Sequence, residues 1–481
     1  MSTRISDAER RAREGFSFTR RRFLGGAAGV AGAAAAGALG FTSLARADLP
    51  LPAGRAFLFC YFPGGWDQLM LLDPRDPTRF LDSERSRTLI ELRYPEIDGI
   101  MGYRAQLVRP RIASPFVFGP LAERAGRAAN LADFADRMAV IRGVNMAALG
   151  HEVAYRYFLT AQYPVGTSAR GTSVATEIAA LMAPRIARRP LPNLSVGVEA
   201  YNDRYPANTS ALSVRNSQDL VMVLAPAGTA EPDEVEAAIA ARAAMQGPCS
   251  SEVYDRRGLW SIMREARGTA DGLVRERVSS NFEFVTADTP AAQAIRARYG
   301  FGRGDADHPG ARTALAVQAI KSGISQVVSV GVGMGTDTHF GNNATHARLL
   351  TPGVDAFLAA LDDLRSSPHP QGGTFLDHTT VVGFSEFARA PLFNSYNGRD
   401  HHQNNSLMLV GAGIRGNTLV GATSDTGMSA MPWDLERNVQ SDSGEILKPE
   451  HIAVTLLASV GLTSDRFRVA PIRAVLSGVT T

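Results

Sequence analysis

Ala56-Phe57-Leu58-Phe59-Cys60-Tyr61-Phe62-Pro63-Gly64-Gly65-Trp66-Asp67 joins a nearly unbroken apolar run to a turn and an acid. An apolar run without polar alternation reads as a strand covered on both faces, the habit of strands in a parallel sheet. Pro63-Gly64-Gly65 permits a sharp turn, so Asp67 is expected at the carboxyl tip of that strand. Runs of the same character occur at Met138–Val144, Leu220–Leu224, Gln326–Val332, Thr379–Phe384 and Ser406–Val410. Between them lie helical patterns at Leu121–Asp136, Ser173–Arg188, Glu234–Met245, Tyr254–Phe282, Ala311–Ser322, Val354–Arg365 and Ile452–Val460. This alternation predicts an α/β fold of three layers, with a mainly parallel central sheet and helices on both faces. Residues 225–307 are charged and helix-patterned without a strand, and are expected to form a helical insertion.

Functional groups of such sheets gather just outside the carboxyl ends of the strands. Four predicted strand tips carry acids or histidines: Asp67; then Asp337-Thr338-His339; then Glu386, followed by Arg389; and the loop Gly398-Arg399-Asp400-His401-His402 before Ser406–Val410. Seven of the nine histidines fall between His308 and His402. Imidazoles mixed with carboxylates suit zinc, manganese or iron, whereas an all-oxygen set suits magnesium or calcium. Ordinary roles stand beside this reading. Asp67 could cap the next helix or satisfy loop amides, and Asp337 could form an Asx turn. Glu386 could pair with Arg389, and each histidine could be a hydrogen-bonded loop residue. His346 and His402 are candidates for orienting the ligands from behind.

The first 47 residues read as a leader. Arg20-Arg21-Arg22-Phe23-Leu24 precedes an Ala/Gly-rich apolar run to about Leu44, and Ala45-Arg46-Ala47 is a small-x-small cleavage signal. Paired arginines ahead of Phe-Leu point to the twin-arginine export machinery and a periplasmic or extracellular mature protein from Asp48 onward. An uncleaved anchor is the alternative, although few residues of the run are strongly apolar. The leader holds eight arginines and three acids, a net +5, while the whole chain is +3, so the remainder is −2. The basic character therefore gives no reason to expect a nucleic-acid partner. Cys60 and Cys249 are the only cysteines, and Cys60, inside the apolar run, is expected to be a buried free thiol.

Gly64-Gly65-Trp66-Asp67, Asp337-Thr338-His339, Ser385-Glu386-Phe387-Ala388-Arg389 and Gly398-Arg399-Asp400-His401, in this order, resemble the motifs of the exported bacterial family called domain of unknown function 1501. That family is similar in fold to the alkaline phosphatase and sulfatase superfamily, whose strand tips hold two metals around an attacking hydroxyl or modified cysteine. The resemblance implies Asp67 as ligand to one metal and Asp337 and His339 to the other. It implies Glu386 where the superfamily usually has Asp, His401 as the late histidine ligand, and Asp400 as a ligand or as the group orienting His401. Thr336 and Ala388 depart from the family's Trp and Gly. Gly150, before His151, stands where family members often carry Ser. Without that hydroxyl, covalent transfer lacks its first step.

The function expected from this is an exported protein binding divalent metal (Zn, Mn, Mg or Ca), hydrolysing small anionic phosphate or sulfate esters, with Arg389 or Arg399 gripping the anion. A non-catalytic envelope protein that keeps the fold is the alternative favoured by Gly150. A third is an enzyme modifying lipid or polysaccharide at the cell surface. No transmembrane domain is expected in the mature form.

Overall fold

A computed structural model describes residues 54–183, 189–224 and 277–478, together with a few residues between 234 and 273. The expected leader, Cys249 and most of the helical patterns at Glu234–Met245 and Tyr254–Phe282 lie outside the described residues. Almost all described residues fall in one compact unit, comprising Ser43–Tyr205, Thr209–Leu220 and Ser280–Thr481.

The heart of that unit is an eight-stranded sheet. Its strands are β1 (Ala56–Tyr61), β2 (Met138–Asn145), β3 (Asn193–Val196), β4 (Leu212–Val214), β5 (Val327–Gly331), β6 (Thr379–Phe384), β9 (Asn404–Gly411) and β10 (Thr418–Val420); β7 (Ala388–Arg389) and β8 (His401–His402) pair outside it. The order across the sheet is β10-β2-β9-β6-β1-β5-β3-β4, with β1 at the centre, parallel to β5 and β6. Every residue of β5, β6 and β9 is buried, which is why their sequences do not alternate.

Helices cover both faces. On one side Phe57 and Phe59 join a core with α1 (His151–Thr160), α2 (Val174–Met182) and α5 (Pro449–Ala458). There Phe158 stacks on Phe384 at 4.0 Å between ring centres. On the other side lie α3 (Pro309–Lys321) and α4 (Asn343–Ser366), where Phe62 meets Phe357 at 5.8 Å. Cys60 is a buried free thiol, its pKa pushed up by burial. No helix among the described residues is long and apolar enough to cross a membrane.

Two expectations need correction. Leu121–Asp136 is not one helix. Gly126 takes a left-handed φ of +82°, and Asn130 then starts a separate 3-10 turn, Leu131–Arg137, through a capping box with Asp133. Leu220–Leu224 is not a strand but the end of a helix, Ser217–Leu224. Asn216 Oδ1 accepts the Gln218 and Asp219 N–H groups at its start, and this cap outweighs the apolar run behind it.

The sheet is mainly parallel, as expected, and β9 is its exception: it runs antiparallel to both β2 and β6. No helix lies between β6 and β9, and a parallel return needs a crossover of a dozen or more residues, usually helical. The chain instead loops at the carboxyl edge, pairs β7 with β8, and turns straight back. The consequence is functional. The amino end of β9, with Asp400, His401 and His402 just before it, lands on the same edge as the carboxyl ends of β1, β2, β5 and β6.

Candidate functional site

Close approaches of backbone draw the tips together. Gly64, at φ +98°, lies so near the loop after β5 that a Cβ would come within 2.2 Å of Thr336 N. A Cβ on Gly398 would come within 2.1 Å of the His339 carbonyl. Only glycine fits at these two crossings.

Three imidazoles and one carboxylate meet beyond them. Asp337 Oδ1 stands 3.3 Å from His151 Nε2, 3.2 Å from His339 Nε2 and 3.3 Å from His401 Nε2. Donor atoms of His151, Asp337 and His401 all lie within 4.8 Å of one another. His339 Nε2 is 2.8 Å from His401 Nε2. Each ring is held from behind through its Nδ1: His151 by Glu386 Oε1 at 2.7 Å, His339 by Asp400 Oδ1 at 2.9 Å, and His401 by the Leu149 carbonyl. Because these partners can only accept, each ring carries a proton on Nδ1 and turns Nε2 toward Asp337. The 2.8 Å His339–His401 contact and the His401–Asp337 hydrogen bond then need a second proton, on one of those Nε2 atoms, which a cation bound there would displace. With that proton gone, lone pairs facing a carboxylate leave a place for a cation. His151 Nε2 is buried and has no hydrogen-bond partner.

The spacing fits a metal. Four ligands about 2.0–2.1 Å from a tetrahedral ion are about 3.3–3.4 Å apart, which is the Asp337–imidazole distance on all three sides. The His339–His401 edge is shorter and would open by about half an ångström to reach that spacing. The set whose donor atoms all lie within 4.8 Å of one another is His151, Asp337 and His401, so His339 would join as fourth ligand only with a shift of its ring.

The electrostatics agree. Burial pushes the Asp337 carboxyl up, but hydrogen bonds from Arg389 and His401 outweigh it and hold it at about 2. The hydrogen bond to Glu386 raises the His151 pKa, while burial lowers that of His401 against its bond to Leu149. Asp400 is held low by Asn394 and His339.

Of the residues expected at the site, Asp337, His339 and His401 converge. His151, noted only as the neighbour of Gly150, joins them. Its one signal in the sequence is its place shortly beyond Met138–Val144, the fifth strand tip. Glu386 is buried behind the cluster, where it accepts the Gly64 N–H at 2.8 Å, the Ser385 hydroxyl at 3.0 Å and the His151 Nδ1–H. Asp400 orients His339 rather than His401.

Asp67 stands apart. Its Oδ1 accepts the Leu69 N–H at 2.9 Å as the cap of the short turn Gln68–Met70, and its Oδ2 lies 3.0 Å from Arg399 Nε. Its backbone N–H donates to Nε2 of the buried His346, whose Nδ1–H donates to Thr338 Oγ1. The capping role is thus the one observed.

Arg389 and Arg399 do not present themselves to a ligand. Arg389 is fully buried and donates to the Gly64, Gly65 and Arg399 carbonyls and, at 2.6 Å, to Asp337. Arg399 is buried and donates to the carbonyls of Glu91, Ala390 and Pro391. Both guanidiniums brace the loops that carry the cluster.

A search of curated proteins finds no match to the chain. A family model described as "Protein of unknown function (DUF1501)" matches residues 55–440, a span that includes every residue of the cluster. The chain therefore belongs to the DUF1501 family.

Proposed function

We propose that the protein is an exported metalloprotein whose single metal centre is held by His151, Asp337, His339 and His401 and acts on small anionic esters. The carrying observation is the set of three Nε2 atoms, each fixed by an acceptor at Nδ1 and each 3.2–3.3 Å from one carboxylate oxygen. A set of three nitrogens and one oxygen suits zinc, manganese or iron, and argues against magnesium and calcium. Bound there, such an ion would polarise a phosphate or sulfate oxygen and acidify a water.

The chain's own groups favour an anion beside the centre. Helix α1 starts at His151 with no side-chain cap, so its first N–H groups and the positive end of its dipole stand next to the cluster. They replace Arg389 and Arg399 in the anion-binding role. The alkaline phosphatase-like arrangement is retained as a proposal in its sheet and its strand-tip site, with one centre instead of two. The twin-arginine leader and a periplasmic or extracellular location are part of the same proposal.

Metal analysis of tag-free mature protein tests the first half: about one equivalent of a transition metal is expected, and less than about half an equivalent of any metal refutes it. Phosphate and sulfate mono- and diesters, assayed with each metal, test the second. Absence of turnover on all of them would favour the non-catalytic reading, for which Gly150 speaks. The lipid-modifying reading draws on one further observation. Leu149, Met334, Phe340 and Tyr396, each on a loop that carries a cluster residue, are between 53% and 68% exposed.

A further inference from the structure

Single apolar side chains on a surface are ordinary, but a group of them around one centre marks a contact. Among the described residues Phe340, Tyr396 and Met334 are 68%, 67% and 65% exposed, three of the four most exposed large apolar side chains, and Leu149 is 53% exposed. All four stand on loops that carry the histidine–aspartate cluster. Leu149 lies two residues before His151, and its carbonyl holds His401 Nδ1. Met334 lies three residues before Asp337, and Phe340 directly follows His339. Tyr396 reaches the same place from the loop before β9, its ring 5.1 Å from that of Phe340.

The local sequence makes each of them a projecting tip. Their neighbours are small: Ala148 and Gly150, Gly333 and Gly335, Gly341, Ser395 and Asn397. A Cβ built on Gly335 would meet nothing within 4 Å, so the Met334 loop faces open space. Positive charge does not share the work. Residues 145–150, 332–342 and 390–400 contain no lysine, and their one arginine, Arg399, is buried. Residues 48–481 carry a net −2, from +3 for the chain less +5 for its first 47, so a polyanion or a strongly anionic membrane would not be drawn in by charge. What remains is apolar contact, by which exposed Leu, Phe and Tyr side chains enter the boundary between lipid headgroups and acyl chains.

A folded partner or a second copy seated on all four tips would cap the centre they surround. A bilayer does the reverse: it takes up the tips and brings an anionic headgroup to the cluster and to the uncapped start of α1. Building on the ester-directed centre proposed above, we infer that the protein docks on a lipid bilayer through Leu149, Met334, Phe340 and Tyr396. Its substrate class is then the anionic headgroup ester of a membrane lipid.

The test is flotation of tag-free mature protein with vesicles of phosphatidylcholine containing a minor share of phosphatidylglycerol, in low and in high salt. Wild type should float saturably in both. Phe340→Ser combined with Tyr396→Ser should weaken binding at least about tenfold, with the melting point and metal content of wild type, because both rings are largely exposed. Val439→Ser, 48% exposed in the strand Val439–Gln440, away from the cluster loops, should float like wild type. Protein stripped of metal by a chelator should float as well as loaded protein, since no tip is a ligand; docking therefore stands or fails separately from the metal proposal. Failure of wild type to float, equal flotation of the double variant, or flotation abolished by high salt overturns the docking. So does a wild-type dimer that the double variant dissociates, since the tips would then belong to a second copy. Cleavage of the headgroup ester in those vesicles should be lost in the double variant while turnover of a soluble short-chain ester is kept. A wild type that cleaves only the soluble ester overturns the substrate class and leaves the ester-directed centre in place.

Discussion

Glu386→Gln isolates one term of the metal proposal. Glu386 is 1% exposed and its carboxylate serves Gly64 N, Ser385 Oγ and His151 Nδ1. Glutamine has the same shape. Its carbonyl can keep the Gly64 and His151 bonds, and its amide can donate to Ser385 Oγ, whose own proton can go to the Phe62 carbonyl at 2.7 Å. No buried group is orphaned, so the change is the loss of the negative charge that makes His151 Nε2 a better donor to a cation. Losing such a partner behind a ligand typically costs about 10–100-fold in metal affinity, equivalent to about 1.4–2.7 kcal/mol. For roughly 430 residues the unfolding entropy is about 0.9 kcal/mol/K, so the melting point of the loaded protein would fall by only about 1.5–3 °C. A competition titration against a coloured chelator, at fixed pH and salt, is the sharper assay. His378→Ala, whose ring bonds the Gly372 carbonyl away from the cluster, serves as control and should bind metal like wild type. A Glu386→Gln affinity within twofold of wild type would mean that His151 does not bind the metal through Nε2, and the centre as described would fail.

Asp67→Asn should leave one equivalent of metal bound but cost about 3–5 kcal/mol in denaturant unfolding, because Arg399 loses its buried partner; loss of the metal instead would restore Asp67 as a ligand. Gly64→Ala forces a Cβ to within 2.2 Å of Thr336 N, so destabilisation above about 3 kcal/mol and weaker metal binding are expected by melting and titration. Burial holds His346 at about 3 against an ordinary 6.5. The folded state therefore binds fewer protons than the unfolded one, and stability is lost as pH falls below about 6.5, by up to about 1.4 kcal/mol per unit until about pH 3. His346→Gln should flatten that limb of a stability–pH curve. At Gly150, with φ −90° and only Val153 Cγ2 within 4.0 Å of a built Cβ, Gly150→Ser should fold with a stability change under about 0.5 kcal/mol; ester turnover gained by this variant would tie the position to a lost nucleophile.

The central strands were legible because burial on both faces leaves no alternation: Thr379–Phe384 agrees to the residue, and Ala56–Phe62 to within one. The strands missed, Asn193–Val196, Leu212–Val214 and Thr418–Val420, are short and lie toward the sheet's margins, where a three- or four-residue run carries little pattern. The direction of β9 was legible too. Nothing helical separates Phe384 from Ser406, and a chain without a crossover has to come back antiparallel. For the site, residue type announced chemistry without announcing position. Asp67, Glu386 and Asp400 share the acidity of a ligand, yet one caps a turn and two hold histidines from behind. That distinction depends on which carboxylate oxygen faces which ring nitrogen, a matter of a few ångströms between segments far apart in the chain. His151 differs: it stands seven residues beyond Met138–Val144, at the first position of a helix, so nothing beside it in the sequence marks it as a group of the cluster.

The cluster also explains why the bracing arginines are buried. His151 follows β2, Asp337 and His339 follow β5, and His401 precedes β9, so the four groups belong to segments up to 250 residues apart in sequence. The unfolded chain holds no preformed site. Metal affinity, if the proposal holds, is therefore folding free energy as well, and any slack in the loops weakens it. Arg389 removes slack at one point: its guanidinium ties the backbone of the turn after β1 to the carboxylate of the loop after β5 and to the carbonyl of Arg399. Arg399 in turn ties the loop before β9 to Glu91. A lysine could make one such contact at a time, whereas a planar guanidinium makes several in fixed directions. On this reasoning Arg389→Lys should lower metal affinity even though the charge beside Asp337 is kept. The same variant with unchanged affinity would show that the loops hold their places without the brace.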